Sequence, residues 1–103
     1  MLHIFDAIIA IENFITDVSE DEFLKNDMVQ SAVIRKIEII GEATKNLDDV
    51  FKSKYNFIPW KNIAGMRDKL IHGYFGVDTE SVWEVTQKDL PLLKEQISKI
   101  LDD

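Results

Sequence analysis

Hydrophobic residues recur every three or four positions along most of the chain, which is the spacing of an amphipathic helix. In residues 1–16 these positions form a first apolar stripe, and a few more apolar residues form a second face of the same helix. A helix that is apolar on more than one face is buried from several sides. We therefore expect a buried helix over residues 1–16, with Ile4, Phe5, Ile8, Ile11 and Ile15 on the first face and Leu2, Ile9 and Phe14 on the second.

The longest helical pattern covers residues 27–47. Its apolar stripe consists of Val29, Val33, Ile37, Ile40 and Leu47, and charged residues, among them Arg35, Lys36, Glu38 and Lys45, lie off the stripe. A glycine inside a helix costs about 1 kcal/mol relative to alanine. We interpret Gly41, in the middle of this pattern, as a point where the backbone of another helix approaches closely.

Two short helices are predicted beside the long one. Ser19 and Glu22 have the spacing of a capping box, and apolar residues follow at once, which predicts a helix over residues 20–25. Residues 48–55 form a second short candidate.

The second half of the chain predicts two more helices. Proline suits the first turn of a helix, so Pro59 indicates a helix over residues 59–74, and Gly73 and Gly76 mark its end. Asp78 is a candidate N-cap for a last helix over residues 79–101.

Pro91 is expected to kink or split that last helix near Asp89, because proline cannot donate the helical hydrogen bond. No segment alternates between polar and apolar residues as a strand does. The pattern thus predicts an all-α fold, an antiparallel bundle of four to five helices, in a single domain over residues 1–103.

Composition narrows the class of protein. The chain is 46% hydrophobic, which provides for a core, and it contains no cysteine, which excludes disulfides and thiolate metal sites. The longest apolar runs, such as residues 7–11, are too short to cross a bilayer, and no basic leader follows Met1, so we expect a cytoplasmic protein without membrane partners. The net charge of −7 argues against broad non-specific nucleic-acid binding, although it leaves room for a small basic cleft.

Generic catalytic and metal-binding motifs are absent from the sequence. It has no phosphate-binding glycine-rich loop, no HExxH and no nucleophile elbow. The two histidines, His3 and His72, are far apart, so we expect neither a metal site nor a cofactor. We interpret His3 as a surface or packing residue.

The candidate chemistry is concentrated in residues 67–74. Arg67, His72 and Tyr74 cluster at the end of a predicted helix. Two residues five positions apart are separated by about 140° around an ideal helix, so Arg67 and His72 flank a face rather than share it. They can act on one substrate if the helix end is frayed or if a second subunit lies opposite. Alternatively, these residues only cap the helix end and complement its dipole.

Residues 67–74 also resemble the sequence motif of a known protein family. Arg67 and His72 fit the Arg-four-residues-His motif of HEPN domains, which are helical bundles found in many ribonuclease toxins, and Asp68 suits the polar position after the arginine. The extension to Tyr74 resembles the HepT toxins of HepT–MntA toxin–antitoxin systems. Further stretches match that family in order and at compatible spacing, namely residues 39–43, 59–61, 63–66, 75–78 and 89–91 together with Trp83.

The resemblance implies a homodimer that cleaves RNA without a metal in a cleft shared by its two motifs. His72 would serve as general base or acid, since an unperturbed histidine with a pKa near ~6.5 can do both at neutral pH. Arg67 would hold the scissile phosphate, and Asp68 would support it. Tyr74 resembles the tyrosine that the MntA-like partner, a minimal nucleotidyltransferase antitoxin, modifies with AMP.

Other residues in the matching stretches have simpler interpretations. Trp60 and Trp83 are expected to pack in the core, and Glu42 to form a surface or interface ion pair rather than to face the cleft. Lys61 and Lys69 either extend a local basic patch or are solvated.

Two alternatives to a ribonuclease remain open. The chain could be a non-catalytic partner or regulatory subunit of a nucleotidyltransferase, which the acidic net charge favours modestly. It could also be a plain helical dimerisation domain in which the motif merely caps a helix.

Overall fold

The computed structural model describes residues 2–70 and 78–102, and within these residues the chain is helical and contains no strand. The prediction of an all-α bundle is therefore confirmed. The helices are more numerous and shorter than the four to five predicted. They are α1 (Leu2–Phe14), α2 (Glu20–Leu24), α3 (Asp27–Lys45), α4 (Asp49–Lys54), α5 (Trp60–Ala64), α6 (Met66–Leu70), α7 (Thr79–Glu84) and α8 (Leu90–Leu101), with a π-helical turn (Val85–Asp89) between α7 and α8.

Helix α3 lies at the centre of the bundle. It packs along α1 and also contacts α2, α5, α6 and α7, while α1 packs against α8 on another side. The first stripe of α1 and the stripe of α3 supply much of the core. Their best buried side chains are Ile4, Ile8 and Ile11 of α1 and Val33, Ile37 and Ile40 of α3. The second buried face predicted for α1 is wrong, because Leu2 and Phe14, at the two ends of the helix, are 63% and 37% exposed.

Local capping explains why the first helices begin where they do. Ser19 and Glu22 form the predicted capping box, in which each side chain bonds the other residue's backbone N–H at 3.2 Å. Asn26 caps α3 by accepting from the N–H of Val29, and Asp48 caps α4 by accepting from that of Phe51. These helices end within two residues of the predicted positions.

The predicted helix over residues 59–74 is wrong in one respect, because the structure divides its described part at Gly65. The N–H of Gly65 bonds to the carbonyls of both Lys61 and Ile63, which ends α5. The chain then starts again as α6, with the N–H groups of Asp68 and Lys69 bonded to the Gly65 carbonyl. Glycine weakens a helix relative to other residues, so a break is tolerated at this position. The predicted end at Gly73 and Gly76 lies outside the described residues.

The predicted split of the last helix by Pro91 is confirmed. Asp78 caps α7 through a hydrogen bond from the N–H of Ser81. The N–H of Leu90 bonds to the carbonyl of Val85, five residues earlier, rather than to the usual acceptor four residues earlier. This wider turn accommodates the proline ring, which would clash with a carbonyl four residues before it in a regular helix, and Pro91 then lies in the first turn of α8.

Three further interpretations can be compared with the structure. A Cβ atom at Gly41 would lie 3.3 Å from the carbonyl oxygen of Ala64, so Gly41 is the predicted point of close approach. Trp60 is buried, and its Nε1 donates to the carbonyls of Lys52 and Tyr55. Trp83 packs with its ring centroid 5.2 Å from that of Phe23.

Among the described helices, none has the length and apolar character needed to cross a membrane.

Candidate functional site

The short helix α6 presents Arg67 and Asp68 to solvent. Met66 and Leu70, four positions apart on one face of α6, are buried in the core. The residues between them therefore point away from the core, and the side chains of Arg67 and Asp68 are 46% and 69% exposed. The sequence pattern predicted a longer helix around Arg67 than α6.

Two carboxylates lie beside the Arg67 guanidinium. Its Nε atom is 3.8 Å from Oε2 of Glu38, and its Nη1 atom is 3.6 Å from Oδ1 of Asp68. The same Oε2 of Glu38 is 3.9 Å from Nη1 of Arg35, one helical turn earlier on α3. These distances are those of ion pairs and are too long for direct hydrogen bonds.

An open cleft of about 240 Å³ lies where α3 meets α5 and α6. We call it the Arg67 cleft, and it is lined by Glu38, Gly41, Glu42, Lys45, Ala64, Arg67 and Asp68. The close approach of the backbones at Gly41 and Ala64 forms its floor. The cleft is thus built by the same helix contact that the glycine permits.

The cleft wall carries mixed charge. Three carboxylates, those of Glu38, Glu42 and Asp68, face two cations, Lys45 and Arg67, with Arg35 next to Glu38. A phosphate group that approached Arg67 would therefore compete with carboxylates already within 4 Å of it. The cation is available to an anion, since it is nearly half exposed, but the surroundings are not strongly basic.

The structure locates only some of the predicted site residues. Arg67 and Asp68 come together at the cleft, while His72 and Tyr74 lie outside the described residues. Glu42 also lines the cleft, and its surface or interface ion pair stays a prediction. Lys69 lies on the far side of α6, in a separate groove with residues of α7 and α8, so it does not extend a basic patch around Arg67.

His3 does not belong to this site. It is exposed on α1 and lines a different surface depression, which agrees with its interpretation as a surface residue. Across residues 2–70 and 78–102 no three acidic or histidine side chains are grouped so as to hold a metal ion.

Glu38 was not predicted to belong to the site. In the sequence it was only one of the charged residues that lie off the apolar stripe of α3. A signal was nevertheless present in the sequence. Glu38, Glu42 and Lys45 lie three or four positions from Gly41 or from one another, in the i, i+3, i+4, i+7 pattern, so they share one face of α3 with the glycine that marks the helix contact. Charged residues on the face of a helix contact are candidates for a site at that contact.

Comparison with known proteins decides the family. The model of the family described as "Ribonuclease HepT-like" matches residues 4–100. This chain belongs to the HepT-like ribonuclease family. The predicted family is thereby confirmed, and with it the assignment of the chain to a class of ribonucleases.

Three relatives show how much of each protein the similarity to this HepT-like chain covers. "Gamma-glutamylcyclotransferase and putative RNase" of Methanocaldococcus jannaschii is 54% identical over 98% of this chain but only 46% of its own length. "Putative RNase" of Caldanaerobacter subterraneus subsp. tengcongensis is 49% identical, over 82% of this chain and 75% of the relative. "Probable ribonuclease HepT" of Thermococcus cleftensis is 46% identical, over 94% and 88%. The chain thus spans less than half of the first relative. No solved structure gives a significant match to the HepT-like chain.

Proposed function

We propose that the chain is the ribonuclease toxin of a HepT/MntA-type toxin–antitoxin system and acts in the cytoplasm. It cleaves RNA without a metal, in a cleft at the interface of a homodimer, with Arg67 and His72 as catalytic residues. The observation that carries this proposal is the position of Arg67. The first residue of the motif presents a guanidinium that is nearly half exposed at an open cleft, in a chain of a ribonuclease family.

Arg67 would bind the scissile phosphate. The planar guanidinium matches two phosphate oxygens at once. Its positive charge would stabilise the additional negative charge that develops on the phosphate oxygens in the transition state. Asp68, 3.6 Å from Nη1, supports the arginine from the same helix.

His72 would transfer the protons. As general base it removes the proton of the ribose 2′-hydroxyl, whose oxygen then attacks the adjacent phosphorus and breaks the bond to the 5′ oxygen of the next nucleotide. A histidine as general acid gives a proton to that leaving oxygen. The products are a 2′,3′-cyclic phosphate and a free 5′-hydroxyl, so the step needs no further reactant. A homodimer would place two copies of Arg67 and His72 in one cleft, which resolves their separation around a single helix.

Control of the ribonuclease would act through Tyr74. The MntA-like nucleotidyltransferase would transfer AMP from ATP to the phenolic oxygen, forming an oxygen–phosphorus bond and releasing pyrophosphate. An adenylyl group two residues from His72 adds bulk and negative charge, which would exclude the RNA phosphates. In this scheme Tyr74, the last residue of the motif, controls cleavage and takes no part in catalysis.

A matched pair of histidine variants tests the proposed catalysis. We expect His72→Ala to abolish RNA cleavage in EDTA-containing buffer without lowering the thermal unfolding midpoint. His3→Ala changes the only other histidine, which is exposed and lies elsewhere, so it should retain full activity. Wild-type cleavage by the His72→Ala protein would rule out its catalytic role.

The intact mass of the chain after co-expression with an MntA-like nucleotidyltransferase tests the proposed control. One or more added AMP units should disappear in Tyr74→Phe and persist in Tyr55→Phe, which changes the only other tyrosine. AMP that remains on the Tyr74→Phe protein would place the modification elsewhere.

A second function is favoured by the carboxylates around Arg67 and by the net charge of −7. In this case the chain is a non-catalytic helical partner or regulatory subunit of a nucleotidyltransferase. It would co-purify with the nucleotidyltransferase and show no RNA cleavage at any protein concentration. Cleavage that His72→Ala removes would exclude this second function.

A further inference from the structure

The carboxylate of Glu38 lies between two arginines that come from different helices. Its Oε2 atom is 3.8 Å from Nε of Arg67 on α6 and 3.9 Å from Nη1 of Arg35 on α3. Ion pairs between neighbouring positions of one helix are common, as Arg35 and Glu38 illustrate. The contact with Arg67 differs from them because it joins two helices.

The two helices joined by Glu38 differ greatly in how firmly they are held. Helix α3 has 19 residues and is packed by several other helices, and Ile37 next to Glu38 is completely buried. Helix α6 has five residues and begins directly after the break at Gly65. The Glu38 side chain itself is only 29% exposed. Glu38 is thus a well-anchored partner for a long arginine side chain on a short helix.

We propose that Glu38 is a positioning residue that holds the Arg67 guanidinium in the orientation in which it binds phosphate. The contact to Glu38 is made by the Nε side of the guanidinium, so Glu38 does not occupy the Nη atoms. A phosphate that formed two parallel contacts with the Nη atoms would share Nη1 with the exposed carboxylate of Asp68, which lies 3.6 Å away. This inference rests on the proposed function, in which Arg67 binds the scissile phosphate. It adds a residue outside the motif to the catalytic machinery.

Arg35 completes the arrangement from the other side. It is 63% exposed and one helical turn from Glu38, and it is a second cation beside the same carboxylate oxygen. Asp68 is 69% exposed, and its attraction for Arg67 is weakened by solvent more than that of Glu38. Glu38 is therefore the carboxylate that fixes the direction of the arginine.

Glu38 could instead slow cleavage, and the two effects predict different kinetic changes when Glu38 is replaced. A carboxylate close to Arg67 also competes with phosphate for the guanidinium. If competition dominated, removing its charge would lower KM and raise kcat/KM. If positioning dominates, removing its charge lowers kcat, because a misdirected guanidinium stabilises the transition state less well.

Steady-state cleavage of an RNA oligonucleotide by the full chain distinguishes these effects. We expect Glu38→Gln, which keeps the size of the side chain, to lower kcat by about tenfold with a smaller change in KM. Glu38→Asp, which keeps the charge but shortens the reach, should fall in between. The matched control is Glu95→Gln, since Glu95 pairs with Lys99 at 4.0 Å on exposed α8. A Glu38→Gln protein with unchanged or increased kcat/KM would overturn the inference.

A double-mutant cycle shows whether Glu38 acts through Arg67. Under single-turnover conditions, Glu38→Gln should have no further effect on the rate of an Arg67→Ala protein, whereas a merely structural effect would multiply with it. Multiplied losses would overturn the inference. The two possible failures are distinguishable, because full activity of Arg67→Ala alone would contradict the proposed function. A slow Arg67→Ala protein beside a fully active Glu38→Gln protein would reject only the positioning role.

Discussion

Gly41 shows how a single residue creates the candidate site. A Cβ atom there would meet the Ala64 carbonyl oxygen at 3.3 Å and that of Ile63 at 3.8 Å. Without a side chain at this position, α5 lies directly against α3, and the chain that follows α5 brings Arg67 to within 3.8 Å of Glu38. The geometry of the Arg67 cleft therefore depends on the absence of one side chain.

Replacing Gly41 with valine should destabilise the protein. The branched side chain would have to displace the backbone of α5, and overpacking of this kind costs about 1–3 kcal/mol. Urea unfolding of Gly41→Val measures this loss. Ser31→Val, at an exposed position of the same helix, controls for the helix propensity of valine and should change the unfolding free energy by much less. Equal losses in the two proteins would argue against a close contact at Gly41.

Residues of the site differed in how far the sequence could predict them. The chemistry of Arg67 and its exposure follow from local information, because buried Met66 and Leu70 on one face leave Arg67 on the other. The role of Glu38 depends on a partner far away in the sequence, and that pairing exists only because α3 and α5 cross at Gly41. Helix periodicity alone contains no information about such a pair.

Short helices build much of the molecule, and α2 illustrates what stabilises them. A five-residue helix has too few internal hydrogen bonds to persist alone. In α2 the capping box with Ser19 fixes the first turn, and Phe23 is completely buried against Trp83. Capping and tertiary packing together replace the stability that length would give.

Removal of the Ser19 hydroxyl should lower stability by about 1 kcal/mol, the usual effect of losing a serine N-cap. The hydrogen bond at risk is that from the N–H of Glu22 to Ser19 Oγ, at 3.2 Å. The measurement is chemical unfolding of Ser19→Ala beside Ser53→Ala, in which an exposed serine inside α4 is changed. If both variants unfold at the same denaturant concentration as the wild type, the cap contributes nothing.

At the level of elements, caps were predictable and a helix break was not. Ser19 and Asp78 identified helix starts because their capping bonds are local in sequence. Gly41 and Gly65 both lie inside apolar helical patterns, yet α3 continues through the first and α5 ends at the second. Tertiary packing makes that distinction, so the sequence pattern could not reveal it.

The whole molecule is acidic, whereas the RNA of the proposed function is a polyanion. The net charge is −7, and three carboxylates line the Arg67 cleft. A dimer that joined two such clefts would bring two Arg67 side chains to one phosphate chain and so strengthen the local attraction. Association would also bury further surface of a small domain, whose own core is limited by its size.

Light scattering on the purified protein tests the dimer. We expect a mass twice the 11.9 kDa of one chain at micromolar concentration. A monomer that nevertheless cleaves RNA with a rate proportional to its concentration would contradict the shared cleft, and the separation of Arg67 and His72 around the helix would then need another explanation.

RNA cleavage by an Arg67→Ala protein, in EDTA and beside a Lys99→Ala control, tests the central claim most directly. Both changes remove one positive charge, but Lys99 pairs with Glu95 on α8 and does not line the Arg67 cleft. We predict that Lys99→Ala cleaves RNA like the wild type, whereas Arg67→Ala is slower by at least about 100-fold, which corresponds to about 3 kcal/mol of lost transition-state stabilisation. Wild-type cleavage by the Arg67→Ala protein would contradict the account.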